Sequence, residues 1–158
     1  MLSLYKNVHF TLISPTELAM PESILTAITN GGHQLTVTDQ LSGSLDADIC
    51  YQTRIQEERF TSQSEADKFR GKFRLDQQIY TKHFQSKTVI MHPLPRDSRA
   101  EANELDNDLN QHPNLAIFRQ TDNGVLVRMA LFALSLGVEN LLQQHEKPVL
   151  WHTPKSTL

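Results

Sequence analysis

Cysteine is almost absent from this chain. Cys50 is the only one, so no disulfide can form within it. It sits inside a β-rich apolar run and reads as an inert core thiol. The N-terminus shows no signal-peptide pattern, so a reducing cytoplasm is the expected compartment. Long hydrophobic runs are also missing, and no stretch reaches the roughly 18–20 apolar residues of a membrane span. Excess positive charge is missing too. A net charge of −3 gives no bulk attraction to nucleic acid or to an anionic membrane. The seven histidines are scattered, and no spacing suggests a metal site. There is no Gly-x-Gly-x-x-Gly, and the Gly31-Gly32 pair precedes a strand, so a nucleotide-binding Rossmann fingerprint is excluded. No internal repeat or low-complexity segment is present.

What remains is a globular composition, 39% hydrophobic and 21% charged, in 158 residues. That length supports one ordinary core. The first six residues read as the tail of a helix. His9 to Ser14 is a strand that Ser14-Pro15-Thr16-Glu17 ends. Pro21 suits the first turn of a helix that runs to Asn30, where Gly31-Gly32 stops it. Gln34 to Thr38 alternates as a second strand, and Ala47 to Gln52 is a third. Strand, helix and strand at this spacing argue for a parallel sheet with crossover helices.

Residues 57–87 are polar, with helical pieces expected over Glu65–Phe73 and Leu75–Phe84. A solvated helical surface is the common reason for such a segment, and a mobile lid is the other. Thr88 to His92 is a further strand. Residues 97–114 are rich in acids and amides and read as a short helix and loop on the surface. Leu115 to Phe118 reads as a short last strand. A helix follows from about Asn123 to Gln144. Between Val125 and Val138 only Arg128 and Ser135 are polar, so this helix must be buried on several sides, against another domain or subunit. The segment from Glu146 reads as an extended tail.

The chemistry-bearing stretch is Thr88-Val89-Ile90-Met91-His92-Pro93-Leu94-Pro95-Arg96. Proline cannot donate to a ladder, so the strand stops near His92. Ligands of open parallel sheets bind outside the carboxyl ends of strands, where a rigid Pro-x-Pro loop presents fixed carbonyls. The Leu94–Pro95 bond is open to a cis form. A plain strand followed by a stiff turn is the competing reading.

Three segments carry a resemblance. His92-Pro93-Leu94-Pro95-Arg96 resembles the His-Pro-Leu-Pro-Arg loop of aspartate carbamoyltransferases. Thr53-Arg54-Ile55-Gln56-Glu57-Glu58-Arg59 resembles that family's Thr-Arg-x-Gln-x-Glu-Arg segment. Phe118-Arg119-Gln120-Thr121-Asp122-Asn123-Gly124 and the following Arg128-Met129-Ala130-Leu131 resemble a third motif, in the same order. The resemblance covers roughly residues 8 to 145 and lies in the aspartate-binding domain of the family. It implies a Rossmann-like, doubly wound α/β domain over residues 1–145, lacking its first strand and most of its first helix, with a tail over 146–158. Loss of that strand from the middle of the sheet would leave two unpaired edges.

The resemblance also assigns roles. Arg54 takes a carboxylate of L-aspartate with its planar fork, with Gln56 beside it and Arg96 near the site. The backbone carbonyls of Pro93 and Leu94 face the reacting amino and carbamoyl groups. Glu58 and Arg59 hold domain closure. An arginine in the position of Arg54 is otherwise a surface ion pair. His92 is expected to be a structural histidine, because the family does not use it as a base. No metal and no cofactor are implied. The implied partners are L-aspartate, a carbamoyl phosphate-binding domain or subunit, and copies of the chain (a trimer in the family). A regulatory chain is left open.

The phosphate-binding loop and the catalytic histidine of the family's other domain have no match here, so the chain alone is expected to be inactive. A non-catalytic binding or assembly module is the alternative. The sister ornithine enzymes read His-Cys-Leu-Pro where this chain has Pro93, which argues against them. After Arg96 the loop Asp97-Ser98-Arg99-Ala100-Glu101-Ala102 is longer and more charged than the Val-Asp-Glu-Ile common in the family.

Overall fold

The computed structural model describes residues 2–97, 99 and 101–145. The chain separates into two compact units, residues 1–120 and 121–158. The first opens with a single 3₁₀ turn, Leu2–Leu4, and then strand β1, His9–Ile13. Helix α1, Glu22–Asn30, starts behind Pro21 and stops at Gly31, and Gly32 then turns the chain with φ +76°. That conformation suits a residue without a Cβ. Strand β2, Gln34–Thr38, returns parallel to β1 with His9 opposite Gln34 and Ile13 opposite Thr38.

Strands β3, Ile49–Tyr51, and β4, Val89–Met91, form a second parallel pair. No ladder joins the two pairs among the described residues, so β1 and β3 each have one strand neighbour. The expected division of the sheet is therefore present. Between β3 and β4 lie α2, Gln63–Asp67, and α3, Gln77–His83. Helix α2 is shorter than the expected Glu65–Phe73: it ends at Asp67, and turns follow through Gly71, which takes φ +69°. Helix α3 begins where Asp76 accepts the Ile79 N–H at 2.8 Å, an N-cap.

The core of this unit gathers Leu75, Tyr80, Ile90, Leu105, Leu109, Leu115 and Ile117. Cys50 packs against it, and burial pushes its thiol up to about 12. Two sequence expectations are corrected here. Residues 97–114 are not merely surface loop, since Glu104, Leu105 and Leu109 are buried. A short parallel bridge ties Leu75 to Leu105: the Leu75 N–H donates to the Glu104 carbonyl at 2.8 Å and the Asp106 N–H to the Leu75 carbonyl at 2.9 Å. The acids around the two leucines hid a core segment.

Leu115 to Phe118 is not a strand. Leu115 makes one bridge to Ile90, and helix α4 already begins at Ile117 and runs to Leu136. The Ala116 carbonyl is committed to the first helical turn, accepting the Gln120 N–H at 2.8 Å. The expected Asn123–Gln144 helix is thus displaced toward the N-terminus. Gly137, at φ +65°, ends it, with the Val138 N–H closing back on the Ala133 carbonyl. A 3₁₀ segment, Glu139–His145, follows. Val125, Leu126, Met129, Phe132 and Leu136 are all exposed. The expected tail over 146–158 lies outside the described residues.

The burial of Leu109, whose side chain has no solvent exposure, gives a direct test. Leu109→Ala is expected to lower unfolding stability by about 3 kcal/mol in urea titration, the usual scale for a buried Leu truncation. A change under about 0.5 kcal/mol, the scale of surface substitutions, contradicts its place in the core.

Candidate functional site

The β3–β4 register decides which loops become neighbours. Tyr51 stands opposite Met91, and the pairing continues as the Gln52 N–H donates to the Met91 carbonyl at 2.9 Å. Thr53-Arg54 and His92-Pro93-Leu94 therefore leave the sheet side by side, at the carboxyl ends of two parallel strands. Two segments nearly forty positions apart in sequence are made adjacent by one ladder.

His92 is buried at the root of the second loop. Its backbone N–H donates to Gln120 Oε1 at 3.0 Å, and Gln120 Nε2 donates to the Tyr51 hydroxyl at 3.1 Å. Gln120 thus ties the ends of β3 and β4 to α4. The His92 ring accepts the Leu94 N–H on Nδ1 at 2.9 Å. Leu94 has φ +53°, a left-handed conformation that a branched residue adopts only under constraint. The Leu94–Pro95 peptide is cis. Among the described residues the Pro93 and Leu94 carbonyls accept no hydrogen bond, so both are free acceptors on a braced turn.

Arg54 is half-exposed. Its Nη2 lies 2.7 Å from Glu58 Oε1, joining a predicted substrate residue to a predicted closure residue. The Glu58 carboxyl is held below its ordinary range by its own backbone N–H and by Arg54. Gln56 is exposed beside them, and the Arg59 guanidinium makes no ion pair among the described residues. Arg96 is held elsewhere: its Nη1 donates to Asn110 Oδ1 at 2.9 Å. An open cavity of about 640 Å³ lies beside Leu94, Pro95 and Arg96 and reaches Asn103, Leu105 and Ile117.

The charged loop after Arg96 reaches the Arg54 segment through salt links. Arg99 Nη2 is 2.6 Å from Asp97 Oδ2 and 2.9 Å from Glu57 Oε1. Arg70 grips Glu57 with two nitrogens, at 2.9 and 3.1 Å. The Arg70 hydrogen bonds, more than Arg99 and Gln63, bring the Glu57 carboxyl down to about 2. Arg99 does the same for Asp97, also to about 2, with a smaller contribution from the Arg54 charge.

Sequence reasoning missed two residues here. Gln120 stood inside a quoted motif without a role. Glu104 carried no signal at all among its acidic neighbours.

The chain is similar to known proteins. Residues 1–135 match the family model of the aspartate/ornithine carbamoyltransferase Asp/Orn-binding domain. The aspartate carbamoyltransferase catalytic subunit of Cellvibrio japonicus is 61% identical over 152 residues, 96% of this chain and 45% of that protein. Its counterpart in Saccharophagus degradans is 58% identical, again over 96% of this chain and 45% of the relative. Among solved structures, the catalytic subunit of M. jannaschii aspartate transcarbamoylase superposes with a TM-score of 0.70 at 33% identity, covering 83% of this chain and 40% of that one. The Trypanosoma cruzi enzyme, in complex with carbamoyl phosphate and aspartate, does so with 0.66 at 30% identity, over 79% of this chain and 40% of that one. The fold is the Rossmann-like fold of the carbamoyltransferases. More narrowly, the chain belongs to the aspartate/ornithine carbamoyltransferase family, through its Asp/Orn-binding domain. It spans about half the length of the curated relatives it matches.

The salt-link network makes stability depend on pH. Both carboxyls are lower in the folded chain than their ordinary values of 4.5 and 3.8. Their contribution is complete above those values and is lost as pH falls toward about 2. Urea midpoints are expected to fall on acidification across that window, and Arg70→Gln should flatten part of the fall. An Arg70→Gln chain with the wild-type acid dependence contradicts the network.

Proposed function

We propose that residues 1–145 are the aspartate-binding half of an aspartate carbamoyltransferase, an enzyme of pyrimidine biosynthesis. The carrying observation is the pairing, at two adjacent strand ends, of an arginine fork at Arg54 with the unoccupied carbonyls of Pro93 and Leu94. The similarity to catalytic subunits from two bacteria supports the aspartate enzyme over its ornithine sister.

In this reading Arg54 holds an aspartate carboxylate by two parallel hydrogen bonds. Gln56 adds amide contacts and Arg96 contributes positive charge from the loop. The carbonyls of Pro93 and Leu94 orient the α-amine and the carbamoyl NH₂. The uncharged amine attacks the carbamoyl carbon of carbamoyl phosphate. A C–N bond forms, the C–O bond to phosphate breaks with its electron pair leaving on phosphate, and the amine gives up a proton. The products are N-carbamoyl-L-aspartate and phosphate. Rate comes from placing two bound reactants together and from cations around the developing charge.

The carbamoyl phosphate contacts belong to a second domain or subunit. The exposed apolar residues of α4 support a partner of that kind, with closure assisted by Glu58 and Arg59. A homo-oligomer, a trimer as in the family, and a cytoplasmic setting complete the proposal. A regulatory chain stays open, and neither cofactor nor metal enters this scheme.

The test is formation of carbamoyl aspartate by the chain alone and mixed with a carbamoyl phosphate-binding half. Activity is expected only on mixing, and Arg54→Ala in the mixture should raise the KM for aspartate roughly 30-fold or more, the scale of a lost bidentate carboxylate contact. Turnover by the chain alone contradicts its dependence on a partner. A folded chain silent in both settings favours a non-catalytic assembly module.

A further inference from the structure

The loop that presents the two free carbonyls has a buried acidic anchor. Glu104 is 3% exposed and sits on the rigid bridge between Leu75 and Leu105. Its backbone carbonyl is already spent on the Leu75 N–H, so the residue cannot drift. Its carboxylate has two partners from the His92–Asp97 loop. The Asp97 N–H donates to both oxygens, at 3.3 and 3.2 Å. On the other side His92 Nε2 comes within 2.7 Å of Oε1, a close electrostatic contact whose angle makes no hydrogen bond. The carboxylate therefore holds the loop by hydrogen bonds at the residue after Arg96 and faces it through charge at its first residue.

The ring chemistry makes this grip directional. Nδ1 accepts the Leu94 N–H, so it carries no proton and the neutral ring must hold its proton on Nε2. A carboxylate facing Nε2 favours that tautomer, because it needs a donor there. The other tautomer would turn an Nδ1–H toward the Leu94 amide and leave the Nε2 lone pair against the Glu104 carboxylate, two centres of negative charge 2.7 Å apart. Two donors would then face each other, and the amide would be released.

We propose that Glu104 is a positioning residue. It selects the Nε2-protonated form of His92, which holds the Leu94 N–H and with it the strained φ of Leu94, and so aims the Pro93 and Leu94 carbonyls. The use of that aim rests on the functional reading above, whereas the coupling from Glu104 to His92 to Leu94 does not.

The ¹⁵N spectrum of histidine-labelled full chain tests it, with amide hydrogen exchange alongside. In the wild-type chain His92 is expected as the Nε2–H tautomer, with the Leu94 amide protected. In Glu104→Gln, whose amide can offer a donor instead of an acceptor, the second tautomer is expected. Leu94 exchange should speed roughly tenfold or more, the scale of one lost hydrogen bond, while Tyr80 and Ile90 keep their protection. Glu104→Asp should restore part of the wild-type tautomer if a carboxylate is what matters. A wild-type His92 protonated on Nδ1 overturns the proposal without any variant. So does a folded Glu104→Gln chain with unchanged tautomer and unchanged Leu94 exchange. Each of these outcomes is independent of the mixing assay, so failure of the proposed activity and failure of the anchor are separately visible.

Discussion

A parallel ladder only three residue pairs long decides what this chain can do. Ile49, Cys50 and Tyr51 stand opposite Val89, Ile90 and Met91. Period-two geometry means that a slip of one residue would turn each side chain to the other face. Ile90, with no exposure, prevents the slip, because its displacement would open the core around Leu109 and Ile117. The same register fixes that Arg54 and the Pro93-Leu94 turn leave the sheet together. Packing and function are therefore joined at one residue pair, Cys50 with Ile90.

The turn beyond that ladder is expensive backbone. A leucine in the left-handed region persists only where its surroundings leave no alternative. Here the surroundings are polar: His92 and Glu104 are buried beside it, and Gln120 reaches from His92 to Tyr51. Buried polar groups stabilise a unique arrangement only when each is paired. The Pro93 and Leu94 carbonyls accept no hydrogen bond among the described residues, and they stand at the strand ends where a ligand would sit.

Much of the fold was legible in the sequence because local chemistry and tertiary context agree there. β1, α1 and β2 fall within a residue of their expected limits, since Pro21 and Gly31-Gly32 punctuate a clean pattern. The Leu94–Pro95 bond, open to a cis form from local pattern alone, is cis. Other features were set by partners far along the chain. Leu115 looks like a strand residue, yet β4 offers it a single bridge, and the carbonyl of Ala116 starts a helix instead. Glu104 looks like one more surface acid, and only the Leu75 bridge carries it inside. Gln120 has no signature beyond its motif, because its job is to span two loops and a helix.

The charges at the proposed site imply an exchange, not a vacancy filled. Arg54 already holds Glu58, and the neighbouring loop carries Asp97 under the same positive field. An exposed ion pair of this type is largely screened by water, so replacing Glu58 by a ligand carboxylate sacrifices little. The gain must come from geometry: a second hydrogen bond on the arginine fork, and an amine met by carbonyls that do not have to move. That division places affinity mostly with Arg54 and reactivity mostly with the braced turn. A ligand with a carboxylate but no amine would satisfy the first and leave the Pro93 and Leu94 acceptors unused. Under the proposed function, discrimination among small dicarboxylates depends on how rigidly the His92 loop is held, more than on how many cations surround it.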